Sequence, residues 1–166
     1  MKTKFYKVAI LLFAVSMSLM SCNSDERNAE KIVGTWTCVS SYDHFWRIIP
    51  THPEYSSDYE NTDERKSDVA VFKEDGTVET TSDKLLEYYV SKDEKDRYTY
   101  DWSILDDTLY IGRNNYGKYS WHIETLTKNK LVISREYEET SLEDVVSANE
   151  NASVTKGEKR IREFKR

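Results

Sequence analysis

Histidine, cysteine and carboxylate side chains are the groups from which a catalytic or metal site would be built. The three histidines are His44, His52 and His122. No two of them have the H-x-x-x-H spacing that sets two imidazoles on one helix face around a metal. His44 and His52 share a stretch with Asp43, Glu54 and Asp58, but in no ligand pattern. The run Asp58 to Glu64 is rich in oxygens and lacks the glycine that an EF-hand loop needs for its sharp turn. Cys38 sits among β-branched residues with no histidine beside it, so it reads as a small buried hydrophobe and not as an activated thiol. The carboxylate pairs Asp93-Glu94, Asp106-Asp107 and Glu138-Glu139 fall at expected turns, where both charges are solvated. There is no G-x-S-x-G, no glycine-rich phosphate loop and no C-x-x-C. The expectation is no catalytic residue, no metal and no cofactor.

Aromatic residues are the richer material, with 12 Tyr, 4 Trp and 5 Phe. Tyr98, Tyr100, Trp102, Tyr119 and Trp121 would cluster if the strands that carry them pair. They would then be either barrel core or the lining of a pocket for an apolar or sugar-like ligand. A second group lies between residues 42 and 59. Phe45, Trp46, Tyr55 and Tyr59 there would either fold over a mouth as a lid or form an exposed contact patch.

The elements that must position these groups are short strands. Asn28-Ala29-Glu30-Lys31 allows one helical turn, and residues 32–40 (IVGTWTCVS) form the first strand. Residues 44–66 read as a long irregular loop holding both prolines. Residues 69–73 and 77–80 flank Asp75-Gly76, a hairpin signal because glycine tolerates the positive φ of the turn. Residues 83–91 lean to strand. In residues 98–104, Tyr98, Tyr100, Trp102 and Ile104 alternate with polar residues, the period of a half-buried strand. Strands follow over residues 108–113, 119–124 and 131–137, the third of these ahead of a polar, loop-like stretch, 139–157, with a short helix near 142–146. A last strand, 158–164, turns Ile161 and Phe164 inward. Hairpin-linked strands favour up-and-down order, and closure removes sticky edges. The expected fold is all-β: a single antiparallel up-and-down β-barrel of about eight strands, entered by a short helical turn.

Upstream of the barrel stands an export signal. Lys2, Lys4 and Lys7 precede an apolar stretch, residues 8–20, too short to span a bilayer. Leu19-Met20-Ser21-Cys22 resembles the lipobox of bacterial lipoproteins. The resemblance implies cleavage before Cys22, acyl chains on that residue and firm membrane anchoring without a transmembrane helix. It divides the chain into a signal (1–21), a lipidated tether (22–30) and a barrel domain (31–166). Asn23-Ser24-Asp25-Glu26 resembles the surface-export signal of Bacteroidota lipoproteins, which implies the outer membrane and its outer face, with the periplasmic face as the alternative. The formal charge is −6, and losing the three lysines of the leader makes the remainder more acidic still. Such a surface repels nucleic acid. With Cys22 acylated, Cys38 has no disulfide partner.

Several motifs, taken in order, resemble small lipocalin-like lipoproteins of Bacteroidota type. Val33-Gly34-Thr35-Trp36 is similar to the G-x-W opening of lipocalins. Phe72 to Val78 (FKEDGTV) is similar to the hairpin of the small bacterial members. Residues 100–104, 109–111 and 123–133 resemble their later strands. The likeness covers roughly residues 30–137, with no T-D-Y motif. It implies an eight-stranded barrel open at one end, with Trp36 structural at the closed end, and binding in place of catalysis. Two functions follow as expectations. One is a lipid-anchored module holding a small apolar or amphipathic ligand in the barrel. The other is a filled barrel whose loops contact a surface protein or glycan.

Overall fold

The computed structural model describes residues 25–82, 84–86, 99–113, 117–145 and 150–166. Helix α1 (residues 25–32) comes first, longer than the single turn expected at Asn28–Lys31. Asp25 and Glu26 occupy its first turn, where acidic side chains offset the positive end of the helix dipole. Among the described residues nine strands follow: β1 (Gly34–Ile48), β2 (Ser57–Thr62), β3 (Val69–Phe72), β4 (Thr77–Thr80), β5 (Thr99–Leu105), β6 (Thr108–Arg113), β7 (Gly117–Leu126), β8 (Lys130–Val145) and β9 (Glu150–Lys165). All pairings are antiparallel, and β9 returns to pair with β1, closing an eight-stranded barrel. β2 stands outside the ring. It pairs only with the second half of β1, from Tyr42 to Arg47, after β3 has paired with Gly34 to Thr37.

The change of partner along β1 coincides with a bulge between Cys38 and Ser40. A one-residue slip reverses which side chains face inward. Trp36 and Cys38 are buried before it, and Ser41 and Asp43 after it. The connection from β2 to β3 braces the bulge. Cys38 N donates to the Asp68 carbonyl and Ser67 N to the Cys38 carbonyl, both at 2.8 Å. Arg65 N donates to Ser41 Oγ at 3.0 Å.

The closed end is sealed around Trp36. Its Nε1 donates to the Ile32 carbonyl at the end of α1 at 2.6 Å. The Arg166 guanidinium lies 4.5 Å from the centroid of its ring and donates to the Lys31 carbonyl at 2.7 Å. Gly34 is in the positive-φ region, and a Cβ there would come within 3.0 Å of that guanidinium. The expected β3–β4 hairpin is present. Gly76 has φ of +83°, and Asp75 Oδ1 accepts from Thr77 N at 2.9 Å. Above Trp36 the interior is packed with Phe72, Val78, Tyr100, Leu109, Ile111, Trp121, Leu131, Ile133 and Phe164.

Four expectations are corrected. Residues 44–66 are no loop: β1 runs to Ile48, a 3-10 turn covers Pro53–Tyr55 and β2 returns. β2 (SDYENT) is an exposed edge strand without a core face, so it has none of the apolar periodicity by which a strand is read. Residues 139–157 are likewise no loop and, over the described residues, no helix. They extend β8 and β9 into a long ribbon, with register from Lys130↔Lys165 to Val145↔Glu150. Its polar sequence is held by the backbone ladder and by cross-strand pairs such as Lys156 Nζ with Glu143 Oε1 at 2.6 Å. Third, in β9 the inward residues are Arg160, Arg162 and Phe164, all buried, while Ile161 is only part-buried. Ile161 and Phe164 are an odd number of residues apart and cannot share a strand face. Last, residues 84–86 are a turn, not strand; the rest of 83–91 lies outside the described residues.

Candidate functional site: the barrel mouth

The described part of the β4–β5 connection reaches into the barrel at residues 84–86. Leu85 and Leu86 are buried in the core, and their carbonyls accept from Arg162 Nε at 3.0 Å and Trp121 Nε1 at 3.1 Å. Leu85 and Leu86 thus pack into the upper interior, and one described cavity lies above them, at the mouth.

There β1 and β9 bring together groups more than a hundred residues apart. Arg162 Nη2 donates to both carboxylate oxygens of Asp43, at 2.7 and 3.0 Å. Its Nη1 donates to the Tyr42 carbonyl at 3.1 Å. Burial pulls the Arg162 guanidinium below its ordinary value, while Asp43 pulls it back. A buried pair of this kind is retained only when its remaining protons are satisfied, and here backbone carbonyls satisfy them. Arg160 is also buried. Its Nη2 meets Glu158 Oε2 at 2.8 Å, and its guanidinium lies 5.0 Å from the Phe45 ring centroid.

Next to this pair lies a cavity of about 360 Å³, lined by Asp43, Phe45, Tyr59, Asn61, Glu64, Arg65, Lys84, Arg160 and Arg162. Its wall has four cationic side chains and two carboxylates, with Phe45 and Tyr59 as aromatic faces. Arg65 is drawn to Glu64 (2.9 Å) and Ser82 Oγ (3.4 Å). A second hollow of about 440 Å³, at the closed end, is lined by Ala29, Glu30, Val33, Glu74 and Trp102 and has no cationic side chain.

The sequence-derived aromatic set is spread along the barrel axis and does not enclose one pocket. Tyr100 and Trp121 are core. Trp102 sits near the closed end, edge-on to Phe72 at 5.7 Å, and donates to the Thr77 carbonyl at 2.9 Å. Tyr119 is part-buried beneath the Arg135 guanidinium at 4.3 Å. Tyr98 lies outside the described residues. Of the second set, Phe45 and Tyr59 line the mouth cavity, Trp46 points from the opposite face of β1, and Tyr55 is in the 3-10 turn beside His52. Sequence reasoning missed Asp43, Arg65, Lys84, Arg160 and Arg162. For the last two a signal existed: Arg160, Arg162 and Phe164 share one parity.

The surroundings do not activate Cys38, the one cysteine among the described residues. Burial pushes the Cys38 thiol up to about 11 despite the nearby Arg162, so it stays protonated. His44 meets Asp58 at 2.7 Å and His52 meets Glu54 at 3.3 Å. His122 is exposed on the outer face of β7. Glu138-Glu139 lie within β8 and not at a turn, Asp106-Asp107 form the β5–β6 turn, and Asp93-Glu94 lie outside the described residues. Among the described residues no three His, Cys, Asp or Glu groups are arranged to hold a metal. No described helix is long and apolar enough to cross a membrane.

In comparison with known proteins, a family model described as a lipocalin-like domain matches residues 32–133. No curated protein and no solved structure gives a match.

Proposed function

This chain belongs to the family of lipocalin-like domains, and from that premise we propose that the mouth of its barrel holds a small amphipathic ligand with an anionic end. The carrying observation is the wall of the 360 Å³ cavity: Arg65, Lys84, Arg160 and Arg162 against Asp43 and Glu64, with Phe45 and Tyr59 for the apolar part. A volume of this order is usual for a small-molecule site. In an acidic chain, a local excess of cations selects for negative charge. The role is binding and not catalysis, in keeping with the protonated Cys38.

The protein is a lipid-anchored envelope lipoprotein of the Bacteroidota type, with acyl chains on Cys22, held at the outer membrane and facing outward. The lipobox-like Leu19 to Cys22 and the leader before it support this. Asp25 and Glu26 also have a structural use in the first turn of α1, so Asn23-Ser24-Asp25-Glu26 supports the outer face less strongly than the lipobox supports the anchor. Only three residue steps separate Cys22 from Asp25, a reach of about 11 Å at full extension. Since α1 packs at the closed end, that end faces the lipid and the mouth opens away from it. The ligand therefore enters from the aqueous side.

Calorimetry on the full chain in mild detergent tests the site with octanoate against uncharged octanamide. Octanoate should bind at least tenfold more tightly, and Arg65→Ala with Lys84→Ala should remove the difference. Equal binding of the two probes, or no binding, overturns the reading. For the anchor, Cys22→Ala should leave the membrane fraction; retention there refutes it.

A further inference from the structure

Beyond the mouth, β2, β1, β9 and β8 continue as a four-stranded sheet whose outer face is not barrel wall. Tyr42, His44 and Trp46 alternate along β1 and so share that face, opposite Asp43 and Phe45. Their rings form a row, with centroids 6.4 Å apart from Tyr42 to His44 and 4.8 Å apart from His44 to Trp46, tilted by 55° and 39°. All three are part-buried, leaving ring surface open.

The row is held in place. Trp46 is paired with Gly157 of β9, and a Cβ on that glycine would lie 2.2 Å from the indole Cζ2. The missing side chain lets the indole lie on the backbone of β9 and reach the next strand, where Nε1 donates to Glu138 Oε2 at 3.2 Å. Tyr42 donates its hydroxyl to Glu60 at 2.9 Å, and His44 Nε2 meets Asp58 at 2.7 Å. Each ring is thus fixed through a polar atom to a carboxylate. These carboxylates keep further lone pairs for incoming hydroxyl groups.

We propose that this row is a stacking platform for an uncharged, hydroxyl-rich polysaccharide. The C–H face of a pyranose ring is apolar and weakly positive, the complement of the negative face of an aromatic ring. The flanking Asp58, Glu60 and Glu138 accept hydroxyl protons, and with Lys159 beside His44 already paired with Glu136 at 3.3 Å the face stays acidic and repels sulfated, phosphorylated or uronic polymers. Rings fixed in advance lose little entropy when a sugar lands on them. The platform shares no residue with the mouth cavity, so either reading can fail without the other.

Affinity electrophoresis of the full chain in mild detergent decides it. The gels contain mixed-linkage β-glucan, xyloglucan, galactomannan or glycogen, and one contains polygalacturonate. The chain should be retarded by at least one uncharged polymer. Trp46→Ala and His44→Ala should each weaken that retardation at least tenfold, and Lys84→Ala should leave it unchanged. If Trp46→Ala does not fold, judged by near-ultraviolet circular dichroism, His44→Ala and Tyr42→Ala carry the test. No retardation in any uncharged gel, retardation by polygalacturonate alone, or undiminished retardation of the ring variants overturns the proposal.

Discussion

At the closed end Trp36 lies between the Ile32 carbonyl and the Arg166 guanidinium, with Phe72, Leu131 and Phe164 among the buried residues around it. At the mouth the inward positions of the same two strands, β1 and β9, hold Asp43, Arg160 and Arg162. Below, inward positions are apolar and the barrel closes on a hydrophobic core. Above, they are charged, and each buried charge must be met by another charge or a carbonyl. The comparison teaches that one sheet can be anchored by burial at one end and by polar pairing at the other. Of the two described hollows, only the one at the mouth is lined by cationic side chains.

The contrast can be broken most severely at Trp36. Trp36→Ala should cost about 3–5 kcal/mol, read as a lowered denaturation midpoint; a loss below 1 kcal/mol would mean that the closed end is not the anchor. At the mouth, Asp43→Ala leaves Arg162 buried without its carboxylate, which should cost about 3 kcal/mol. Asp43→Ala with Arg162→Met should recover part of that in the same denaturation series. If the double variant is no more stable than the single one, the pair is not the strut described here.

Gly157→Val should cost about 1–3 kcal/mol by forcing the indole off β9, with a shift in Trp46 fluorescence as its marker. Cys38 gives a pH test. Its thiol is raised from an ordinary 9.0 to about 11, so the folded state prefers the neutral form. The stability that this contributes is complete below pH 9 and is lost as pH rises toward 11. Alkylation of native protein should stay slow at pH 9 and quicken only near pH 11 or on unfolding; rapid labelling at pH 8 would contradict the burial. The smallest effect belongs to the exposed ribbon, where Lys156→Ala should leave the thermal midpoint unchanged within error.

Much of the barrel wall was legible. The alternation in β5 and β7 and the Asp75-Gly76 hairpin follow from residue type and spacing, and the buried Trp36 from the likeness of Val33 to Trp36 to the lipocalin opening. The ribbon and β2 were not. Apolar periodicity appears only where one face meets a core, and residues 57–62 and 139–143 meet none. The mouth was legible only in part. Phe45 and Tyr59 were picked out as aromatic, but Arg160 and Arg162 look like surface charge until the parity with Phe164 places them inward.

By itself the sequence determined the strand period and the lipobox-like motif, and through its resemblance to the lipocalin opening it pointed to the closed-end tryptophan, because each is written within a few consecutive residues. Tertiary structure alone decided that Leu85 and Leu86 fill the barrel, that a bulge turns Asp43 inward and that Arg162 meets it across 119 residues. Contacts of that span depend on where the ring of strands closes and in which register. Neither is encoded in any short stretch of chain.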